Sequence, residues 1–262
     1  MAFITETSLR VLLPRGIPDP FPLGEGDKLT PAAADFLKDR GIRIGIPKLC
    51  RQTVPSGHED PLTATIPVGV SNRHVHLSPE HIERLFGTGY RLTPQRELSQ
   101  KGQFAAEETV TVAGPKGSLA KVRVLGPSRG ASQVEISRTD GYFLGIHPPV
   151  RLSGQIRGTP GVTLSGPEGT VALDRGLIVA RNHVHMSPED ARRFGVSQGD
   201  RLIVKSAGER PVLYADVVVR VDERFTLELH LDTDEGNAAD VKTGELVRVV
   251  GVNGRLNGGM EV

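Results

Sequence analysis

One cysteine, Cys50, is the only thiol in this 262-residue chain. No internal disulfide can form, and no Cys-rich zinc site can be built. Any metal must therefore be held by histidine together with carboxylate or amide oxygen. An excess of either charge is missing too: 32 Lys and Arg stand against 31 Asp and Glu, for a net charge of +1. No basic block marks a nucleic acid partner, and no apolar run is long enough to span a bilayer. Met1 to Glu6 lack the basic and apolar regions of a secretory signal, so a cytosolic protein is expected. Long helical patterns are few. The 31 glycines and 19 prolines point instead to short strands and many turns.

What the sequence does contain is one phrase spoken twice. Asn72-Arg73-His74-Val75-His76-Leu77-Ser78-Pro79-Glu80 returns as Arg181-Asn182-His183-Val184-His185-Met186-Ser187-Pro188-Glu189. In an extended strand, alternate side chains share a face, so His74 and His76 can reach one metal ion, as can His183 and His185. A lone His-x-His pair is ordinarily two surface or hydrogen-bonded histidines. Four of the eight histidines falling on matching positions make an internal duplication with a metal role the better explanation. After each pair, Ser78 or Ser187 can cap a short helix opened by Pro79 or Pro188, with Glu80 or Glu189 in its acidic first turn.

Residues 1–60 differ from the rest and read as an N-terminal extension and linker. Thr5 to Leu13 can make amphipathic turns, and Thr30 to Gly41 is a well-punctuated helix. This module is expected to be too small for a core of its own, and to be either a packing extension or a docking or targeting segment. The chain from Cys50 to Pro61 reads as linker. Beyond it, Thr109–Ala113 and Leu119–Leu125 alternate as strands around the turn Gly114-Pro115-Lys116-Gly117. Gln95–Phe104 and Asp232–Ala239 read as loops. Glu135, flanked by apolar residues in the strand Gln133–Ser137, is expected to face a positive group. The grammar of the first half repeats in the second. The expected fold is mainly β, with two tandem six-stranded β-barrels capped by short helices, covering residues 61–150 and 151–262.

Residues 66–250 resemble the PduL family of phosphate acyltransferases, the phosphotransacylases of bacterial microcompartments. The resemblance is carried by both HVH-x-SPE copies, Gly126-Pro127-Ser128-Arg129, Gln133-Val134-Glu135 and the stretch Leu229-His230-Leu231-Asp232-Thr233-Asp234-Glu235-Gly236-Asn237. It implies reversible transfer of a propanoyl or acetyl group between CoA and inorganic phosphate at a dinuclear zinc site. One zinc would take His74, His76 and Glu135, and the other His183, His185 and His230, each with an open position suited to catalysis. Taken singly, Glu135 would read as a salt-bridged carboxylate and His230 as a satisfied strand histidine. Arg129 would hold phosphate with its planar fork. Val70, Ser71, Asn72, Lys116, Arg123 and Asn237 would bind CoA, although Lys116 also reads as a solvated turn lysine and Arg123 as a solvent-facing strand residue. The resemblance further implies microcompartment shell proteins and a CoA-acylating aldehyde dehydrogenase as partners, a place in the shell lumen, and propanediol degradation as one setting.

Direct attack of phosphate on the thioester fits these residues better than an acyl-enzyme. The one cysteine lies outside the motif region, and no Ser, His and acid trio presents itself. Two other classes compete. A two-domain cupin would use each His-x-His with Glu80 or Glu189 and suggest an iron or manganese oxidase or decarboxylase, but those glutamates should open solvent-facing helices. A non-enzymatic zinc-binding shell-associated protein would not need two open sites beside a phosphate-type arginine.

Overall fold

The computed structural model describes residues 3–13, 17–19, 21–22, 28–45 and 64–257, which fall in two compact units, Met1–Ser56 and Gly57–Val262. Cys50 and the expected linker from Cys50 to Pro61 lie outside the described residues.

In the first unit a strand–helix–strand order occurs twice. β1 (Phe3–Ile4), α1 (Glu6–Leu12) and β2 (Phe21–Pro22) are followed by β3 (Lys28–Leu29), α2 (Pro31–Lys38) and β4 (Ile44–Gly45). β1 pairs in parallel with β3, and β2 with β4. Each helix starts at a threonine whose hydroxyl accepts a first-turn N–H, Thr5 from Ser8 and Thr30 from Ala33, which satisfies a donor the helix leaves open. The expectation that this segment lacks a core is overturned. Leu9, Phe21, Ala33, Phe36 and Leu37 are buried together, with Ile4, Leu12, Ile17, Leu29 and Ile42 packed against them. The doubling is the reason: each short amphipathic helix supplies the apolar face that the other needs.

The second unit begins with β5 (Thr65–Ser71), β6 (His74–His76), α3 (Pro79–Phe86), β7 (Pro94–Glu97), β8 (Phe104–Ala113), β9 (Ser118–Gly126), β10 (Gln133–Glu135) and α4 (Arg138–Leu144). β11 (Val150–Arg151), β12 (Val162–Ser165), β13 (Thr170–Leu173), β14 (Leu177–Ala180), β15 (His183–Met186) and α5 (Pro188–Phe194) continue it. It closes with β16 (Arg201–Lys205), β17 (Leu213–Val221), β18 (Glu228–Asp232), α6 (Thr233–Ala239), β19 (Leu246–Val252) and β20 (Arg255–Leu256).

These strands make a mainly β structure with one closed barrel and one half-barrel. The barrel runs β16–β17–β15–β18–β5–β19, and a β16–β19 pairing closes it at six strands. The other sheet runs β11–β14–β10–β6–β9–β8–β12–β13, with β7 on β8, and it stays open. Its outer strand beside β14 is the two-residue β11, too short to carry a ladder round to the far edge.

The sheets do not divide at residue 150, because the strand leading into each His pair crosses to the other copy. β5 precedes His74 yet pairs with β18, Val68 opposite Leu229; β14 precedes His183 yet pairs with β10, Leu177 opposite Val134. Fragments 61–150 and 151–262 expressed apart are therefore expected to stay unfolded by circular dichroism, and co-expression to restore β structure. Independent folding of either fragment would contradict the exchange.

Two loop expectations are corrected. Part of Gln95–Phe104 is strand β7, paired with β8, and Asp232–Ala239 holds helix α6. Asp232 and Glu235 form a capping box there, as Ser137 and Asp140 do for α4, and the D-x-x-E spacing carried that signal. The core explains where the histidines point. Val75 and Val184, between the histidines of each pair, are fully buried in the two apolar clusters. Strand alternation turns the histidines to the opposite face, where they line a single cavity.

Candidate metal centre and active site

Antiparallel register assembles each ligand set. β10 lies against β6 with Glu135 opposite His74, and β18 lies against β15 with His230 opposite His183. His74, His76 and Glu135 form one group and His183, His185 and His230 another, each with ligand atoms within 4.8 Å of one another. The first ring of each pair is held identically. His74 Nδ1 lies 2.8 Å from the Asn72 carbonyl, and His183 Nδ1 2.7 Å from the Arg181 carbonyl. A carbonyl can only accept, so each Nδ1 carries a proton and Nε2 is the nitrogen turned to a cation, the usual arrangement behind a metal-binding imidazole.

The remaining rings fit a cation as well. Among the described residues, His76 Nδ1 and both nitrogens of His185 are buried without a hydrogen-bond partner, and each such orphan costs on the order of 1–3 kcal/mol. Burial pushes His183 down to about 4 and His185 to about 2, so both are neutral lone-pair donors at neutral pH. Burial likewise holds His76 well below its ordinary range. In the first group burial opposes charge on Glu135 and His74, but their attraction across 3.6 Å prevails. His74 is raised and Glu135 stays ionised, well below the usual carboxylate range. Glu80 and Glu189 are exposed and belong to neither group, so the cupin-type ligand set does not form.

The two groups share a cavity of about 1130 Å³. Val70, Ser71, Asn72, Arg123 and Arg129 line it. Arg129 donates to Ser153 Oγ at 3.0 Å, and its backbone N–H is fixed on the Leu77 carbonyl. Arg123 does not simply face solvent: it donates to the carbonyls of Ala106 and Glu107, both at 2.8 Å. Lys116 and Asn237 are not brought to the cavity. Lys116 is exposed in the β8–β9 turn, its N–H on the Leu144 carbonyl and its side chain against Gly145. Asn237 is exposed on α6.

Sequence reasoning missed Arg96, Arg220, Phe225 and Glu228, all of which line the cavity. Arg96 sits on the strand read as loop. Arg220 sits opposite His185 in β17 and ends the apolar run Val217-Val218-Val219, which was the available signal. Phe225 stacks on His185 with ring centroids 4.0 Å apart. Burial lowers both Arg129 and Arg220 from the ordinary guanidinium range, though neither nears neutrality. Cations at such positions favour an anionic occupant.

Helix α6 is tied to the second ligand strand through Glu235, which accepts from Asn182 Nδ2 at 2.7 Å and from the Asp232 N–H at 3.1 Å. Burial raises Glu235 to about 7. The folded state then holds a proton that the unfolded state releases near 4.5. Its stabilising effect is full below about 4.5 and is lost as pH rises through about 7. The loss is on the order of 3 kcal/mol. Denaturant titrations at pH 5 and 8 are expected to show a smaller loss of stability in the Glu235→Gln protein than in the parent; an equal loss would place the proton elsewhere.

Comparison with known proteins matches residues 67–242 to the family described as PTAC, phosphate propanoyltransferase. A phosphate propanoyltransferase of Thermotoga maritima is 56% identical over 185 residues, 70% of this chain and 88% of the relative. One from Rhodopseudomonas palustris is 50% identical over 184 residues, covering 70% and 81%. One from Rhodobacter capsulatus is 49% identical over 202 residues, covering 77% and 93%. With a match over this span and identities at this level, the chain belongs to the phosphate propanoyltransferase family and is an acyltransferase.

Proposed function

We propose that this enzyme transfers a propanoyl group, and by the same chemistry an acetyl group, reversibly between CoA and inorganic phosphate, at a site holding two zinc ions. The observation that carries the reading is the convergence of two three-ligand groups and Arg129 on one cavity. His74, His76 and Glu135 would hold one ion, and His183, His185 and His230 the other. Bound zinc supplies Lewis-acid stabilisation for a carbonyl oxygen or a departing thiolate.

The chain's own residues do the positioning. Arg129 binds two phosphate oxygens and leaves a third free to attack the thioester carbon. The C–O bond forms as the C–S bond breaks, and CoA leaves as a thiolate that takes a proton from solvent. Arg123 and Arg96, with the Val70–Asn72 backbone, offer cations and hydrogen bonds to the CoA phosphates. Holding both substrates in one cleft removes much of the entropic part of the barrier. No acyl-enzyme is needed.

The test is release of free thiol from propanoyl-CoA and acetyl-CoA, with and without phosphate, on protein of measured zinc content. Phosphate-dependent release with about two zinc ions per chain is expected. Release indifferent to phosphate would make the protein a thioesterase. Iron or manganese with no release would revive the cupin.

We further propose that residues 1–60 address the enzyme to a microcompartment lumen, beside shell proteins and a CoA-acylating aldehyde dehydrogenase. Val11, 71% exposed on the capped helix α1, supports a docking face. Removal of residues 1–55 is expected to spare activity and abolish co-purification with shells.

A further inference from the structure

The two ligand sets have unequal charge as they stand: Glu135 gives the first a carboxylate, whereas His183, His185 and His230 are all imidazoles. The ligand strands show how the difference is made up. Glu228 stands 95 residues after Gln133, as His230 does after Glu135, and the registers match, Gln133 opposite His76 and Glu228 opposite His185. Each strand thus carries one carboxylate and one nitrogen-bearing side chain, amide or imidazole, on the same face, in opposite order. In the first half the amide of Gln133 donates to Glu135 Oε1 at 2.6 Å. In the second, Glu228 Oε2 lies 2.9 Å from His230 Nε2.

The neighbouring strand differs in step. Ile178 sits opposite Glu135, but Gly69 sits opposite His230. A Cβ at position 69 would lie 2.7 Å from Glu228 Cδ and 3.0 Å from both carboxylate oxygens. Gly69 is therefore the seat on which the carboxylate rests. Ser99 holds it from the other side, its hydroxyl donating to Glu228 Oε2.

Building on the two-zinc reading, we propose that Glu228 is the acidic member of the second half-site. It is a positioning carboxylate that fixes the His230 ring and supplies the negative charge that Glu135 supplies to the first. A carboxylate behind a ligating imidazole typically contributes 10–100-fold to metal affinity.

The experiment is a chelator titration of the zinc-loaded full-length protein that resolves release of the individual ions, beside thermal unfolding to confirm that each variant folds. In the Glu228→Gln protein one ion is expected to leave at a chelator concentration about 10–100-fold lower, with the other unchanged. Cobalt substitution should show an altered visible spectrum. Gly69→Ala, which shifts the carboxylate while keeping it, should weaken the same ion and serves if Glu228→Gln fails to fold. Two zinc ions in the parent, both held as tightly in the folded variants, would overturn this proposal alone. A parent that binds no zinc, or one ion, would overturn the two-zinc reading and this proposal with it.

Discussion

Stripping divalent metal from the protein is expected to lower phosphate-dependent CoA release by at least about 1000-fold, and added zinc to restore it. The first ground is the donor set. Buried His76 and His185 carry ring nitrogens that nothing among the described residues satisfies. A core polar group left this way normally has an unseen partner. The second ground is protonation. With His183 pushed down to about 4 and His185 to about 2, these two rings need shed no proton to bind a cation at pH 7. The third is chemical: the cavity needs a group able to meet the charge of a departing thiolate. Dialysis against a strong chelator, followed by thiol-release assays with graded zinc, measures it. Full activity in protein shown to be metal-free would sink the reading.

Alanine at His183 should act like partial stripping, since it deletes one donor and leaves His185 and His230 without their third. Such a variant should keep the first ion and lose the second. Because His183 is not needed for the barrel core, which Val184 and Leu229 fill, the fold should survive.

Much of this centre was legible because duplication writes it twice. The repeated His-x-His phrase, its serine caps and its proline-opened helices all stand where the strand and cap signals put them. The third member of each group was harder. Glu135 and His230 come from strands that meet the His pairs only through long-range antiparallel register, which local pattern does not encode, so the family resemblance had to supply them. The exchange of β5 and β14 escaped for the same reason: a strand of alternating apolar residues does not say which sheet it will join. The family resemblance pointed to Lys116 for a CoA phosphate, whereas the residue's own setting, a tight turn, read as solvated, and there it stands exposed. Arg96 went unremarked because its strand was read as loop, and Arg220 because the apolar run it ends, though a signal, does not say which cavity the strand will face. Helix α6 was different, since its Asp232 and Glu235 spacing was present and was outweighed by the polarity of the segment.

Replacing Arg129 with alanine is expected to cost about 100–1000-fold in kcat/KM for phosphate while leaving the fold intact. A guanidinium fork matches two phosphate oxygens, so lysine at this position, which keeps charge but not the fork, should recover only part of the loss. The KM for acyl-CoA should change little, because the CoA contacts are proposed for other residues, Arg123 and the Val70–Asn72 segment. Structural side effects should be small. Ser153 Oγ, the partner of Arg129, also accepts from Gln133 Nε2 at 2.9 Å, so it is not left unpaired. Removing a half-buried cation also relieves a desolvation cost that burial already registers in its lowered pKa. Initial rates over a range of phosphate concentrations separate the possibilities. A loss confined to acyl-CoA would move Arg129 to the CoA site, and unchanged rates would remove it from the reaction. Arg220 is the cation best placed to carry residual phosphate binding, because it too lines the cavity and is partly buried there. The double variant should therefore lose more than Arg129→Ala alone, and a double variant no worse than the single one would show that Arg220 serves another part of the substrate.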